Sequence, residues 1–424
     1  MDADVVVIGA GLAGLRCATE LVSAGHEVVV LEAGDDIGGR IRTERIDGYQ
    51  VDRGFQLLNP AYPAVRRWVD ANSLRLGTFE AGVAALTDER LIRLGHPLRA
   101  PRLLAATLRG VGGELGDVPA LLRWLRPLAH RSDVTHLQAL SRRTDLTLAA
   151  SLDAAGVSGT LRRVLERFFA GVLLDDSGTS SAAYARLLTA TFLSGNPGLP
   201  AAGMQALPRQ VAAPLKGRIR TSTPVHEVGP TPGSSGFRVR TDDGDLVARR
   251  VVVATGQQAA AALIALPEER AHGVVTQWWS TTVEPTRHRV LHVDARSRPT
   301  GPLVNTAVVS HAAPTYAPAG RHLVQASALM GPGRPTPREP AMRRHAAELL
   351  RADGFAEWQV VTRHEIPRAL PVQSAPLDVA RPLVLPDGLV VCGDHRDTAC
   401  IQGALVSGHR AAQQVGALLS GASG

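Results

Sequence analysis

The stretch VVVIGAGLAG, residues 5–14, decides how the chain is read. Four apolar residues, Val5 to Ile8, run straight into a glycine loop, as a parallel strand covered on both faces should. LRCATELVSA follows as a helix that stops at Gly25, a residue suited to a left-handed C-terminal cap. HEVVVLEA then gives a second strand that ends on the acid Glu32, completing a βαβ unit in about thirty residues. In such a loop each glycine has its own task. Gly9 allows the tight turn, Gly11 lets a pyrophosphate approach the backbone, and Gly14 lets helix touch strand. Leu12 and Ala13 open the helix, whose free N–H groups meet phosphates. Glu32, with Ala33 beside it, is placed to accept from ribose hydroxyls, and its charge repels a 2′-phosphate. The unit therefore binds a dinucleotide, and at this point NAD and FAD fit equally well.

The rest of the composition narrows the field by exclusion. With 424 residues, 45% hydrophobic and 20% charged, the chain has room for two or three domains and a large core. The formal charge of +7 comes almost wholly from arginine, Lys216 being the only lysine. No dense basic run or groove-reading module accompanies it, so nucleic acid is not expected as a partner. Cys17, Cys392 and Cys400 form neither a zinc pattern nor a redox CxxC, which suits a reducing cytoplasm, and no metal site is expected. The chain enters a strand at once without a signal-like segment, and no apolar run reaches the ~20 residues of a membrane span.

DDIGGRIRT, residues 35–43, separates the two cofactors. Gly38 and Gly39 leave a surface without side chains, and Arg40 adds a fixed cation suited to a diphosphate. Directly after a βαβ fingerprint, this segment resembles the second flavin motif of the amine oxidase, phytoene desaturase and protoporphyrinogen oxidase superfamily of flavoproteins. Asp36 departs from the arginine that this superfamily often carries there. VDRGFQLLNPAYP, residues 51–63, resembles the segment beside the flavin ring, which implies ring contact for Gly54, Phe55 and Gln56. TPVHEV resembles the strand whose valine, here Val225, holds adenine through its backbone. CGDHRDTACIQGALVSGHRAA, residues 392–412, resembles the closing flavin motif. There Gly393 and Asp394 would face the ribityl and pyrophosphate region. Ile401, Gln402, Gly403 and Ala404 would set a helix start against the flavin pyrimidine, where the reduced ring carries negative charge. The resemblance implies FAD as the cofactor and hydride transfer to its N5.

The expected fold is α/β: a Rossmann-like FAD-binding domain with a parallel sheet, interleaved with a mixed α+β substrate domain. Residues 1–80, 199–257 and 384–424 are assigned to the first and residues 81–198 (mainly helical) and 258–383 (strand-rich) to the second. FRVRTDDGDLVARRVVVATG reads as a hairpin ending in an apolar strand. The Arg/Leu pattern of residues 97–131 suits helices that pack leucines on a core. The same pattern would also suit weak peripheral contact with an anionic membrane surface.

Many amine oxidases of the superfamily keep a lysine bonded through water to flavin N5 and sandwich the amine between aromatic rings. Lys216 is badly placed for that, and RHEIPRALPVQSAP ahead of the closing motif has no aromatic residue. Both absences favour a phytoene-desaturase-like or protoporphyrinogen-oxidase-like branch, which handles large lipophilic molecules, and hence an apolar small-molecule substrate in a desaturase- or oxidase-type reaction. Amine oxidation and flavin binding without turnover remain as alternatives, whereas the GGR and closing motifs argue against an NAD dehydrogenase. Trp278 and Trp279, adjacent on a strand, should point to opposite faces with one in the core. Cys400 reads as a small buried residue rather than a flavin link, and His395 either donates to the flavin or substrate or, as the preferred reading, makes a structural hydrogen bond. No catalytic acid or base is identifiable from the sequence.

Overall fold

The computed structural model describes residues 1–95, 117–125 and 145–421, apart from 232, 234, 235, 265 and 268. Two seven-stranded sheets organise it. In the first, the strands follow the order Val225–Pro230, Phe237–Thr241, Gly244–Val253, Ala3–Ile8, Val28–Leu31 and Ile219–Arg220, with Val390–Val391 also paired to Gly244–Val253. Every pair among its central strands is parallel, and only the hairpin side is antiparallel. Val5, Val6 and Val7 are wholly buried, as a doubly covered strand requires. Val5 and Val7 pack with the helices Leu12–Ser23 and Ile401–Gly421, while Val6 and Ile8 pack with Ile264 and Leu389 on the other face. The first helix ends at Ala24, and Gly25 follows with φ +90°, the left-handed position that favours glycine.

The second sheet runs Gln359–Pro371, Ala271–Thr281, His322–Met330, Leu303–Val308, Leu291–Asp294, Gly82–Leu86 and Leu91–Gly95. Helix Glu339–Leu350 covers one face, burying Val275, Trp279, Val324 and Ala326. The other face meets the main core, which includes Trp278, Ala307 and Leu323, and it is flanked by helix Gly159–Leu173. Both tryptophans are fully buried, on opposite faces, so the pair contributes two core residues rather than one.

Of the Arg/Leu region only Asp117–Leu125 is described, and it is helical. Its Trp124 is buried and donates to Ser151 Oγ at 2.9 Å, and Arg123 donates to the Ala155 carbonyl at 2.7 Å. The remainder of residues 97–131, and with it most of the membrane-surface expectation, lies outside the described residues. Among the described residues no helix is long and apolar enough to cross a membrane.

Candidate flavin site

Parallel strands bring their C-terminal ends to one edge, and ligands of open α/β sheets bind outside that edge. Here the edge carries Gly9, Ala254 and Gly393, which follow strands Ala3–Ile8, Gly244–Val253 and Val390–Val391 closely. The three glycines of the first loop separate by environment. A Cβ on Gly14 would stand 2.0 Å from the Gly9 carbonyl oxygen, and one on Gly9 would stand 2.7 Å from that of Ala254. A Cβ on Gly11 would meet nothing within 4 Å. Gly9 and Gly14 thus serve backbone packing, whereas Gly11 borders open space at the start of the helix, where the first-turn N–H groups have no intrahelical acceptor.

The segments singled out from the sequence converge on this edge. Gly38 donates to the Ala10 carbonyl at 2.9 Å and bridges to Gly11, and a Cβ on Gly39 would lie 3.3 Å from Gly11 Cα. Arg40 pairs with Asp394 at 2.5 Å and donates to the Ala369 carbonyl at 2.8 Å, tying the second motif to the closing one. Gln56 Nε2 donates to the Arg40 carbonyl at 3.0 Å, which places the 54–56 segment next to the same arginine. Gln402 Oε1 accepts from the Ala64 N–H at 2.8 Å, so the last helix begins against the same stretch of chain. Gly403 and Gly408 permit that packing. Their Cβ atoms would lie 1.8 Å from the Thr398 carbonyl and 2.2 Å from that of Ala13. Ile401 and Ala404, on the same first turn, are half-buried. Val225 opens its strand with a bulge before Glu227, and nearby Thr223 donates to the Glu32 carbonyl at 2.9 Å.

Asp36, the departure from the superfamily pattern, is absorbed locally. It pairs with Arg209 at 3.0 Å and accepts from Gln205 Nε2 at 2.8 Å. His395 departs from expectation. Its ring is buried, yet neither nitrogen has a hydrogen-bond partner, and burial lowers its pKa to about 4. The structural hydrogen bond expected of it is therefore absent.

Two residues escaped sequence reasoning. Tyr62 and Tyr184 are both buried and both approach Cys400, and Tyr184 also donates to the Ala399 carbonyl at 2.9 Å. Burial pushes both phenols well above their ordinary range, so they remain neutral donors. Cys400 is half-buried and free, its thiol also raised by burial, so it is no ready thiolate nucleophile. No group of acidic, histidine or cysteine side chains suited to a metal occurs among the described residues.

A dinucleotide carrying a flavin fits these observations. The Gly11 opening and helix start suit a pyrophosphate, with Arg40 nearby as the cation. Gln56 Oε1 and both His395 nitrogens, buried and unpaired, offer contacts that the protein itself leaves unmet. Glu32 holds the loop from both sides, accepting from Ala10 N–H at 2.7 Å and Gly34 N–H at 2.8 Å. Each carboxylate oxygen keeps a lone pair for a ribose hydroxyl. Glu32→Ala is therefore expected to weaken FAD binding by about 1–3 kcal/mol, read as a shift of Kd in a fluorescence titration of the apoprotein.

Comparison with known proteins agrees with this geometry. Residues 12–416 match the family model described as flavin containing amine oxidoreductase. A Mycobacterium tuberculosis protein named as a candidate flavin-containing monoamine oxidase, AofH, is 50% identical over 62 residues, 15% of this chain and only 14% of that protein. A candidate protoporphyrinogen oxidase from Exiguobacterium superposes with a TM-score of 0.71 at 17% identity, over 98% of each chain. Cyclohexylamine oxidase from Brevibacterium oxydans gives 0.65 at 18% identity, over 99% of this chain and 100% of that one. At these identities the structural likeness concerns the fold, whereas the family match spans nearly the whole sequence. The chain belongs to the flavin-containing amine oxidoreductase family and is an FAD-dependent oxidoreductase.

Proposed function

We propose that this enzyme takes a hydride from a small molecule with a largely apolar body, in a desaturase- or oxidase-type reaction. FAD, when bound, supplies the hydride acceptor at flavin N5, and the chain supplies orientation and a water-poor surrounding. The observation that carries the reading is the aromatic packing of Phe55 and of the helix joined to the same segment through Asn59. Phe55 meets Phe79 edge-on with ring centroids 6.2 Å apart, and Phe168 meets Phe192 at 5.3 Å. Asn59 donates to the Thr191 carbonyl at 3.1 Å, joining that segment to helix Ala182–Ser194, which carries Phe192. Lys216 is exposed just before Ile219–Arg220, the outer strand of the first sheet, at the end opposite the C-terminal strand edge. It cannot hold a water at N5.

We further propose residues 1–80, 199–257 and 384–424 as the FAD-binding domain. The first sheet draws its strands from those segments, and the second draws on residues 82–95 and 271–371. Three free cysteines support residence in the cytoplasm.

Oxidation of an amine is a second reading, favoured by Tyr62 and Tyr184. They bring two aromatic rings to the closing motif from segments outside the one that lacks them. Anaerobic mixing with benzylamine, cyclohexylamine and putrescine separates the readings. The expected result is no bleaching of the flavin band by any of the three, and rapid bleaching by one of them would make amine oxidation the function.

A further inference from the structure

In the strands Gln359–Pro371, Ala271–Thr281 and His322–Met330 of the second sheet, the buried polar atoms without partners fall on the face turned away from helix Glu339–Leu350. Along Ala271–Thr281, alternate residues face opposite sides. The side packed on helix Glu339–Leu350 meets its polar needs. Trp279 Nε1 donates to Glu339 Oε1 at 2.6 Å, Gln277 Nε2 donates to the Thr362 carbonyl at 3.1 Å, and Gln277 Oε1 accepts from Arg363 at 3.4 Å. On the opposite side the strand register sets two adjacent rows, His364–Thr276–Ser327–Asn305 and Thr362–Trp278–Gln325–Ala307. Thr276 Oγ1, Trp278 Nε1, Gln325 Oε1 and His364 Nδ1 in those rows are buried with no hydrogen-bond partner. An apolar row, Ile366, Val274 and Leu329, bounds the band on one side, and on the other Leu323 stands opposite Ser280. Ile366 Cδ1 lies 3.3 Å from where a Cβ on Gly54 would stand, so the band adjoins the segment set beside the flavin ring.

A fold rarely leaves buried donors and acceptors unmet, and here the same strand satisfies its other face fully. We propose that this band is a substrate-recognition strip for a neutral molecule that carries an N–H or O–H donor beside a carbonyl-type acceptor on an apolar body. The inference rests on the apolar-bodied substrate proposed above and adds the polar group that such a substrate must carry. The atoms dictate the pattern. Trp278 Nε1 can only donate. Gln325 Oε1 can only accept, since its Nε2 is engaged by Ser327 Oγ at 2.6 Å. His364 turns Nε2 to Glu44 Oε2 at 3.2 Å, which keeps the proton there and leaves Nδ1 as an acceptor. Thr276 can do either. Glu44 is itself paired with Arg53 at 3.2 Å, and neither row contains a carboxylate or a lysine or arginine. An ammonium or carboxylate group therefore finds no counter-charge in the band.

The test is an equilibrium titration of the FAD-loaded enzyme, following the flavin visible band, with 4-phenylbutanamide, 4-phenylbutylamine and butylbenzene. The amide is expected to bind at least about tenfold more tightly than either of the others, the yield of one good hydrogen-bonded pair. Gln325→Leu and Trp278→Phe should each remove about tenfold of that advantage and leave butylbenzene unchanged. Thr276→Val, which keeps the side-chain shape, should act in the same direction and guards against a variant that fails to fold. An unchanged amide preference in all three variants, accompanied only by a raised melting temperature, would overturn the strip and make these atoms structural. Binding of butylbenzene without any amide preference overturns the strip but leaves the apolar-body reading standing. Absence of a response to any probe counts against both.

Discussion

Gly14→Val is expected to give a colourless protein that neither retains FAD through purification nor recovers it on reconstitution. The reason is steric. A Cβ at position 14 would stand 2.0 Å from the Gly9 carbonyl oxygen and 3.0 Å from Ala254 Cβ, so the helix must lift away from two strand ends at once. Overpacking of this kind costs about 1–3 kcal/mol even where neighbours can move, and here the nearest neighbour is backbone. Lifting the helix also withdraws its N-terminal amides from any phosphate they would hold. Gly11→Ala is the contrast. Gly11 has φ −73°, open to any residue, and a Cβ there meets no protein atom within 4 Å. That variant should fold with the melting temperature of the wild-type apoprotein yet bind FAD at least about tenfold more weakly, because the added methyl occupies the approach path of the pyrophosphate. Absorbance after gel filtration and apoprotein melting curves separate the two effects. A yellow Gly14→Val protein would show that the loop is not the phosphate cradle.

The contrast between those glycines also marks what could be read from the sequence. Gly9, Gly11, Gly14 and the Gly38–Gly39 pair were legible because close backbone approach imposes glycine, and a strand before and a helix after fix where it must lie. Glu32 was legible for a similar reason, since its distance along the chain is set by the length of one βαβ unit. Tyr62 and Tyr184 were not. They reach Cys400 from the end of the 51–63 segment, just before helix Pro63–Trp68, and from a helix in the middle of the chain, and no local pattern joins such segments. The polar band was hidden for a sharper reason. In AHGVVTQWWST each face of the strand receives one tryptophan and at least one polar residue, so alternation does not say which side faces a core. Only the neighbours decide it, helix Glu339–Leu350 on one side and the flavin-motif segments on the other. His395 could be placed beside the cofactor motif by sequence alone, but its lack of a partner required the three-dimensional packing.

The stability of the enzyme should fall steeply as pH drops below about 6.5, and His292 should be a principal cause. His292 lies on strand Leu291–Asp294, fully buried, between Ala84 and Thr306 of the neighbouring strands. Its Nδ1 faces the Val290 carbonyl at 3.2 Å, which fixes the proton on that nitrogen, and its Nε2 is buried without a partner. A second proton would place charge and an unmet donor in the core. The groups around it do not help, since His288 stacks at 6.2 Å and His311 also repels. Burial, then His288, lowers the pKa to about 3. A depressed histidine pKa contributes stability that is fully present above the unfolded value and is lost as pH falls toward the folded one. At pH ~4.5 the loss from His292 is on the order of 3 kcal/mol, and His395, lowered to about 4, acts in the same direction. Asp52 opposes both. It is buried and accepts from Thr43, Tyr316 and Met204, yet burial raises its pKa to about 6. Its contribution is therefore fully present below the unfolded value near 3.8 and is lost as pH rises through about 6. Between pH ~6 and pH ~4.5 Asp52 regains roughly 2 kcal/mol on acidification, less than the two histidines lose together. Urea midpoints measured from pH 8 to pH 4.5 at saturating FAD test the balance. His292→Gln should flatten the acid limb, whereas Asp52→Asn, which can still accept from Thr43 and Met204 and turn its amide to the Tyr316 oxygen, should steepen it. An acid limb that His292→Gln leaves unchanged would place the loss elsewhere, first at His395, because a buried imidazole that costs nothing to protonate must already share its second nitrogen with water.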